Sequence, residues 1–474
     1  TRARQHAPRR PLRPSPQTAP RPAAMTRGLV GQIASLLAAA GRTWALRTTG
    51  ESGPPQPLDE ASTLARLDGS GPALRNGTAP GAYAQRLQNY GNLMYFLDFR
   101  LGGQPLSGLV DTGSSELLAF PSGCASCGAA AAYDEQRSAA FARGARRAVQ
   151  SYGSGECEVE DGSDDVVVGP FSADGQAFWR ALKCSMQILD DAGFNAVVGL
   201  GPPAARDPLA RQALAAAAAG LERYASPPPD RPGSAAGLAG NRGTVKLERF
   251  GLRRNLGVAS FSVCFGRHSL SPGWLIWNYA PPDGVPTVST SILEGREAWA
   301  VRLGSLGLEL AGGSSALGCG GGCGAVLDTG TSLLGVPSDI YMALQRVVDE
   351  TPGDCTSLDG FPDLVLRVGG QALHLPPRSY VGNIFGSLRA RTRKFLRLKR
   401  ESHRSSCQLL LLDLGNETTQ FGPMVLLGVP FFREFYATLG LEGGSAAAFA
   451  PAAEGCRPGG VGLERRDRAL SEPL

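Results

Sequence analysis

The chain has 474 residues, a net charge of only +5, 42% hydrophobic residues, 63 Gly and 35 Pro. This length supports two sizeable cores, and so much Gly and Pro argues for a turn-rich β protein over a helical one. The Ala-rich run near the N-terminus is too short to span a membrane, and no other stretch reaches the roughly 18 uninterrupted apolar residues that a membrane-spanning helix requires, which excludes a multi-span membrane protein.

Residues 1–24 hold six Arg, six Pro and no acid, a composition expected to stay disordered. The first Met is Met25. A basic start at Arg27, the apolar run Gly28 to Ala40 and small residues near Trp44-Ala45 have the layout of a signal peptide over residues 25–45. On that reading Met25 is the true start and residues 1–24 form a leader absent from the native protein. Residues 46–84 are polar and rich in Gly and Pro, and include the glycosylation sequon Asn76-Gly77-Thr78. Met94 to Phe99, followed by Gly102-Gly103, predicts a hairpin. The apolar run Gly108-Leu109-Val110 then reads as a buried strand leading into Asp111. Pro202 to Asn241 mixes Pro, Gly and Ala and predicts a flexible loop with a short helix. A second buried strand, Ala325-Val326-Leu327, leads into Asp328. Asp339 to Glu350 predicts a helix with Ile340, Ala343, Leu344 and Val347 on one face. Leu388 to Arg404 carries eight Lys or Arg against one acid, Glu401, and reads as a solvated loop. Within it Arg397-Leu398-Lys399-Arg400 resembles a dibasic convertase site. A second sequon follows at Asn416-Glu417-Thr418.

The chemistry sits in the two strand ends. Asp111-Thr112-Gly113-Ser114-Ser115 and Asp328-Thr329-Gly330-Thr331-Ser332 are nearly one pentapeptide written twice, 217 residues apart. Two carboxyl groups brought face to face do not both ionise easily, so the pair holds one proton between them. One member is then a base and the other an acid. A water between them can be deprotonated as it attacks a peptide carbonyl, with no metal or covalent intermediate. The Gly lets the chain turn closely under the carboxylate, while the Ser and Thr hydroxyls orient it. An aspartyl-phosphate pump is excluded, because no Lys follows either Asp.

Several further segments stand in a fixed order around this pair. Ser151-Tyr152-Gly153-Ser154-Gly155 follows the first motif, with Tyr152 41 residues after Asp111. Phe194 to Gly201 and Val425 to Phe432 are matching apolar strands with Gly. Phe361 to Val365 and Leu375 to Tyr380 precede the cysteine at 407. Together these motifs resemble the pepsin-like aspartic proteases, over about Tyr90 to Pro451. The resemblance implies a mainly β, two-lobed fold of barrel-like lobes with a cleft between, the first lobe at 85–255 and the second at 256–455, with a tail at 456–474. It implies that Asp111 and Asp328 are catalytic, supported by Thr112, Gly113, Ser114, Thr329, Gly330 and Thr331. A flap carrying Tyr152, Gly153 and Ser154 would close over an extended peptide. It also implies a pro-segment in 46–84, hence a zymogen, although only Arg47, Arg66 and Arg75 supply the expected basic residues there. Two departures stand out: Leu118 occupies the position of a Trp that bonds the flap Tyr, and Phe194-Asn195-Ala196 replaces Phe-Asp-Gly.

Ten cysteines point to an oxidising compartment. The resemblance implies the pairs Cys319 with Cys323, Cys355 with Cys407 and Cys124 with Cys127. Cys157, Cys184, Cys264 and Cys456 remain, with Cys157–Cys184 and Cys264–Cys456 the pairing by elimination and their true partners left open. The expected protein is a monomeric aspartic endopeptidase of the secretory pathway, secreted or vacuolar/lysosomal. It acts on a peptide or protein substrate, binds no nucleic acid, and needs no cofactor and no metal. One alternative is a catalytically silent peptide-binding or inhibitor protein on the same fold. Another is a zinc or nucleic-acid binder built on Cys124-x-x-Cys127, the Cys319 and Cys323 pair and the basic segment.

Overall fold

The computed structural model describes residues 45–47, 82–186, 188–189, 192–202, 251–268, 270–279, 285–293, 298–310, 313–351, 355, 357–385, 407–441, 445–453, 456 and 462–463. The leader at 1–24, nearly all of the signal-peptide and pro-segment stretches, Asn76, nearly all of the 202–241 segment, the basic segment 388–404 and most of the C-terminal tail lie outside the described residues. Residues 45–47 pair antiparallel with 383–385.

The principal strands of the first half are β1 (Tyr83–Tyr90), β2 (Met94–Leu101), β3 (Gln104–Asp111), β4 (Leu117–Ala119), β5 (Ala142–Tyr152), β6 (Gly155–Val168), β7 (Phe171–Cys184) and β8 (Ala196–Gly199). The expected hairpin is β2–β3. Its two-residue turn places Gly102 and Gly103 at φ 56° and 75°, a conformation that glycine adopts without the penalty of a side chain. β8 then enters between β3, which it meets in parallel, and β4, which it meets antiparallel. Every residue of β8 is buried, which is why its sequence, Ala-Val-Val-Gly, is continuously apolar and does not alternate.

The second half repeats this plan. Its principal elements are β9 (Phe261–Phe265), β10 (Gly273–Trp277), β11 (Ala300–Leu310), β12 (Cys323–Leu327), β13 (Leu334–Val336), α1 (Ser338–Glu350), β14 (Asp363–Val368), β15 (Gly422–Leu427), α2 (Val429–Glu434), β16 (Phe435–Gly440) and β17 (Ala446–Pro451). β15 stands to β12 and β13 as β8 stands to β3 and β4, parallel to the first and antiparallel to the second. The architecture is therefore mainly β and two-lobed, and the described residues form sheets of fourteen, nine and three strands. The largest sheet crosses the expected lobe boundary, because β10 pairs with β1 and β9 with β16.

Helix α1 buries Ile340, Tyr341, Leu344 and Val348. Val347, expected on the inner face, is only partly buried at the margin of the core. The buried stripe is turned by about one residue, since Tyr341 and Val348 lie a full two turns apart on the face that meets the sheet.

Five disulfides close: Cys124–Cys127, Cys157–Cys184, Cys264–Cys456, Cys319–Cys323 and Cys355–Cys407. The sulfurs of Cys124, Cys127 and Cys184 form one buried cluster, but all three belong to disulfides. Zinc binds the thiolate form of cysteine, so the alternative built on these pairs loses its ligands. No helix among the described residues is long and apolar enough to cross a membrane.

Candidate active site

Asp111 is the last residue of β3, and Asp328 directly follows β12. Each is held at a strand end by the strand that passes beside it. The Leu200 amide donates to the Asp111 carbonyl at 2.7 Å, and the Asp328 amide donates to the Leu427 carbonyl at 3.0 Å. The two loops are then locked together through their threonines. The Thr112 hydroxyl donates to the Leu327 carbonyl at 2.8 Å and accepts from the Thr329 amide at 2.9 Å. Reciprocally, the Thr329 hydroxyl donates to the Val110 carbonyl at 2.8 Å and accepts from the Thr112 amide at 3.0 Å. Both residues are buried, so these four bonds carry the join in a dry place where each counts for more. Trp299 adds a further tie, its indole donating to the Leu200 carbonyl at 2.8 Å.

Within this frame the carboxylates are treated almost identically. Asp111 Oδ1 accepts from the Gly113 amide at 2.9 Å and Oδ2 from the Ser114 hydroxyl at 2.5 Å. Asp328 Oδ1 accepts from the Gly330 amide at 2.9 Å and Oδ2 from the Thr331 hydroxyl at 2.6 Å. Only 3% of Asp111 and 1% of Asp328 is exposed, and the two side chains are in hydrogen-bond contact with each other. Burial raises both carboxyls above the ordinary range. Asp328 rises furthest, because the Asp111 charge adds to its burial.

The glycines are required by this closeness. A Cβ on Gly113 would lie 2.6 Å from Asp328 Oδ1, and one on Gly330 would lie 2.6 Å from Asp111 Oδ1. Gly113→Ala is therefore expected to push the carboxylates apart. A displacement of about 1 Å at such a site costs roughly 10²-fold in rate, to be read as kcat/KM on any substrate the protein cleaves. Unchanged kcat/KM in this variant would contradict the geometry.

Tyr152 ends β5, and Gly153 and Ser154 form the turn into β6. The Tyr152 side chain is buried, and its phenol is held well above the ordinary range by that burial and by the charges of Asp111 and Glu116. It stays protonated and able to donate. Leu118 is buried on β4 and in parallel register with Trp179 of β7. The indole absent at position 118 is thus present on the next strand. It donates to Glu116 Oε2, as does the Gln150 amide. The Asn195 backbone pairs with Ser107 and Phe120, and its side chain accepts from the Ser107 amide at 3.3 Å, so the residue serves the fold.

Sequence reasoning passed over Glu116, Gln150 and Trp179. Glu116 follows the first motif and was in plain view, but nothing in the chain order brings residues 150 and 179 to it. Asn416 is exposed in a turn before Thr418, apart from these groups.

The model of the eukaryotic aspartyl protease family matches residues 94–210 and 286–451. Among curated proteins, the chain is 27% identical to a vacuolar aspartic protease of Candida albicans, over 65% of this chain and 68% of that one. It is 27% identical to cathepsin E of Mus musculus, over 62% of this chain and 68% of that one. It is 26% identical to pepsin A of Bos taurus, over 63% and 73% respectively.

Proposed function

Because the chain belongs to the eukaryotic aspartyl protease family, we propose that it is an endopeptidase in which Asp111 and Asp328 activate a water against the peptide bond. The observation that carries this reading is the pair of buried carboxylates in mutual contact, each oriented by one amide and one hydroxyl. The two raised carboxyls share one proton, which this mechanism places on Asp328. Asp111 is the base. It takes a proton from the water as the water oxygen bonds to the carbonyl carbon, while Asp328 gives its proton to the carbonyl oxygen. The product is a neutral gem-diol. Its collapse breaks the C–N bond as Asp111 returns its proton to the leaving nitrogen and a gem-diol hydroxyl reprotonates Asp328. Both aspartates end as they began.

Thr112 and Thr329 hold the distance between the carboxylates, and Ser114 and Thr331 hold their orientation. Tyr152, Gly153 and Ser154 cover an extended peptide bound by its backbone. Because one carboxyl must be ionised and the other protonated, activity belongs on the acidic side of neutrality. Five disulfides and a relative described as vacuolar support passage through the secretory pathway. The exposed Asn416 is proposed as a glycan acceptor.

The test is incubation with an unfolded protein from about pH 3 to pH 7, with and without a statine-type inhibitor, beside the Asp111→Asn variant. Inhibitor-sensitive cleavage that Asp111→Asn lacks is the expected result. No such cleavage at any pH would leave a peptide-binding protein on this fold.

A further inference from the structure

The carboxylate of Glu116 joins three separate elements. Its backbone belongs to the loop between Asp111 and β4, where the Gly199 amide donates to the Glu116 carbonyl at 3.2 Å. A Cβ at position 199 would lie 2.4 Å from the Glu116 amide nitrogen, so β8 is pressed directly against this residue. Its side-chain Oε2 accepts from Gln150 Nε2 at 3.0 Å, and Gln150 lies on β5 two residues before Tyr152. The same oxygen accepts from the Trp179 indole on β7. The two donors converge on one oxygen, whose two lone pairs can receive both.

The flap needs such an attachment. The outer strand β5 is largely exposed along its length and becomes buried only at Tyr152, and Val149, just before Gln150, is 54% exposed. Of this strand's side chains only Tyr152 is buried, so backbone pairing with β6 and side-chain polar ties do much to hold it in place. Position 118, beside the flap, carries a leucine that cannot donate a hydrogen bond. Trp179, only 8% exposed and in register with Leu118, presents an indole donor on the neighbouring strand, and that indole donates to Glu116.

We propose that Glu116 is a positioning residue that latches the flap to the first catalytic loop, with Trp179 fixing the carboxylate and Gln150 carrying the flap strand. The latch rests on the endopeptidase reading for its consequence in turnover, but not for its existence. Breaking it frees the Tyr152 hairpin without altering either aspartate.

Two measurements test this, and only one requires catalysis. In the first, hydrogen exchange is followed at the amides of residues 150–156 in the inactive Asp111→Asn protein. Adding Glu116→Ala or Trp179→Phe is expected to speed exchange there, and Glu116→Gln, which keeps one acceptor oxygen, is expected to give an intermediate rate. In the second, steady-state kinetics of otherwise wild-type protein is expected to show KM raised about 10-fold by Glu116→Ala with kcat changed much less. That is the scale of one charge-assisted hydrogen bond. Trp179→Phe is expected to give a smaller rise, and the double variant is expected to be no worse than Glu116→Ala alone, because both substitutions cut one unit. Unchanged flap exchange in Glu116→Ala, or fully additive effects in the double variant, would overturn the latch. Absence of turnover with faster flap exchange would refute the endopeptidase reading while leaving the latch in place.

Discussion

Asp328→Asn is expected to abolish cleavage and at the same time to raise the melting temperature near neutral pH. Asn occupies almost the same volume and keeps one oxygen for the Gly330 amide, while its NH2 group replaces the oxygen that now accepts from Thr331 and can donate to that hydroxyl instead. What it removes is an ionisable group that is 1% exposed and lies against the Asp111 charge. The folded-state carboxyl sits well above its ordinary value of 3.8, so the native protein keeps a proton that the unfolded chain has already released. The native state then binds more protons than the unfolded one, and stability falls as pH rises above about 4. That loss continues until pH passes the raised value. The variant has no such loss at this position. Its melting curve is therefore expected to match that of the wild type near pH 4 and to lie above it near pH 7. Activity is expected to drop at least ~10³-fold, because neither acid nor base function survives the loss of one partner. Calorimetry at the two pH values, together with kcat/KM, decides the matter. A variant that melts lower than wild type at neutral pH would contradict the burial argument, and one that retains activity would contradict the mechanism.

Thr112→Val is expected to be among the most damaging conservative substitutions in the chain. Valine matches threonine in shape, yet it strips the hydroxyl that donates to the Leu327 carbonyl and accepts from the Thr329 amide. Both partners are left buried without a bond, at a cost of about 1–3 kcal/mol each. A fall in melting temperature on the order of 10 °C follows from the usual scaling for large domains. Thr329→Val is expected to do the same through the Val110 carbonyl and the Thr112 amide. The double variant should lose less than the sum of the two, since the four bonds form one interlock. Thermal melts of the three variants provide the check. A Thr112→Val protein melting within about 1 °C of wild type would show that the interlock contributes little.

Much of the candidate site was legible in the chain because its determinants are local. An Asp-Thr-Gly turn needs only a buried strand before it and a small residue within it, and both are adjacent in sequence. The β2–β3 hairpin was legible for the same reason, since two consecutive glycines specify the turn. Helix α1 followed from periodicity, although which of its residues meet the sheet depended on the angle at which it docks. The pairing of Cys157 with Cys184 became evident only when β6 and β7 were seen side by side, with the two residues directly opposed.

Leu118 illustrates the limit of linear reading. Its hydrophobic side chain suggested a flap without its usual anchor, because a missing indole is visible in sequence while a replacement from a distant strand is not. The amino-acid sequence by itself determined the mainly β class, the two aspartate turns and the strands that feed them, since each is written within a few neighbouring residues. The tertiary structure alone decided that Thr112 and Thr329 interlock, that the two carboxylates touch, and that Glu116 meets Gln150 and Trp179. Those contacts join residues between 34 and 217 positions apart. The threonine interlock needs the two sheets to meet, and the Glu116 contacts need strands from distant parts of the chain to lie side by side in one sheet, and burial there makes each bond count.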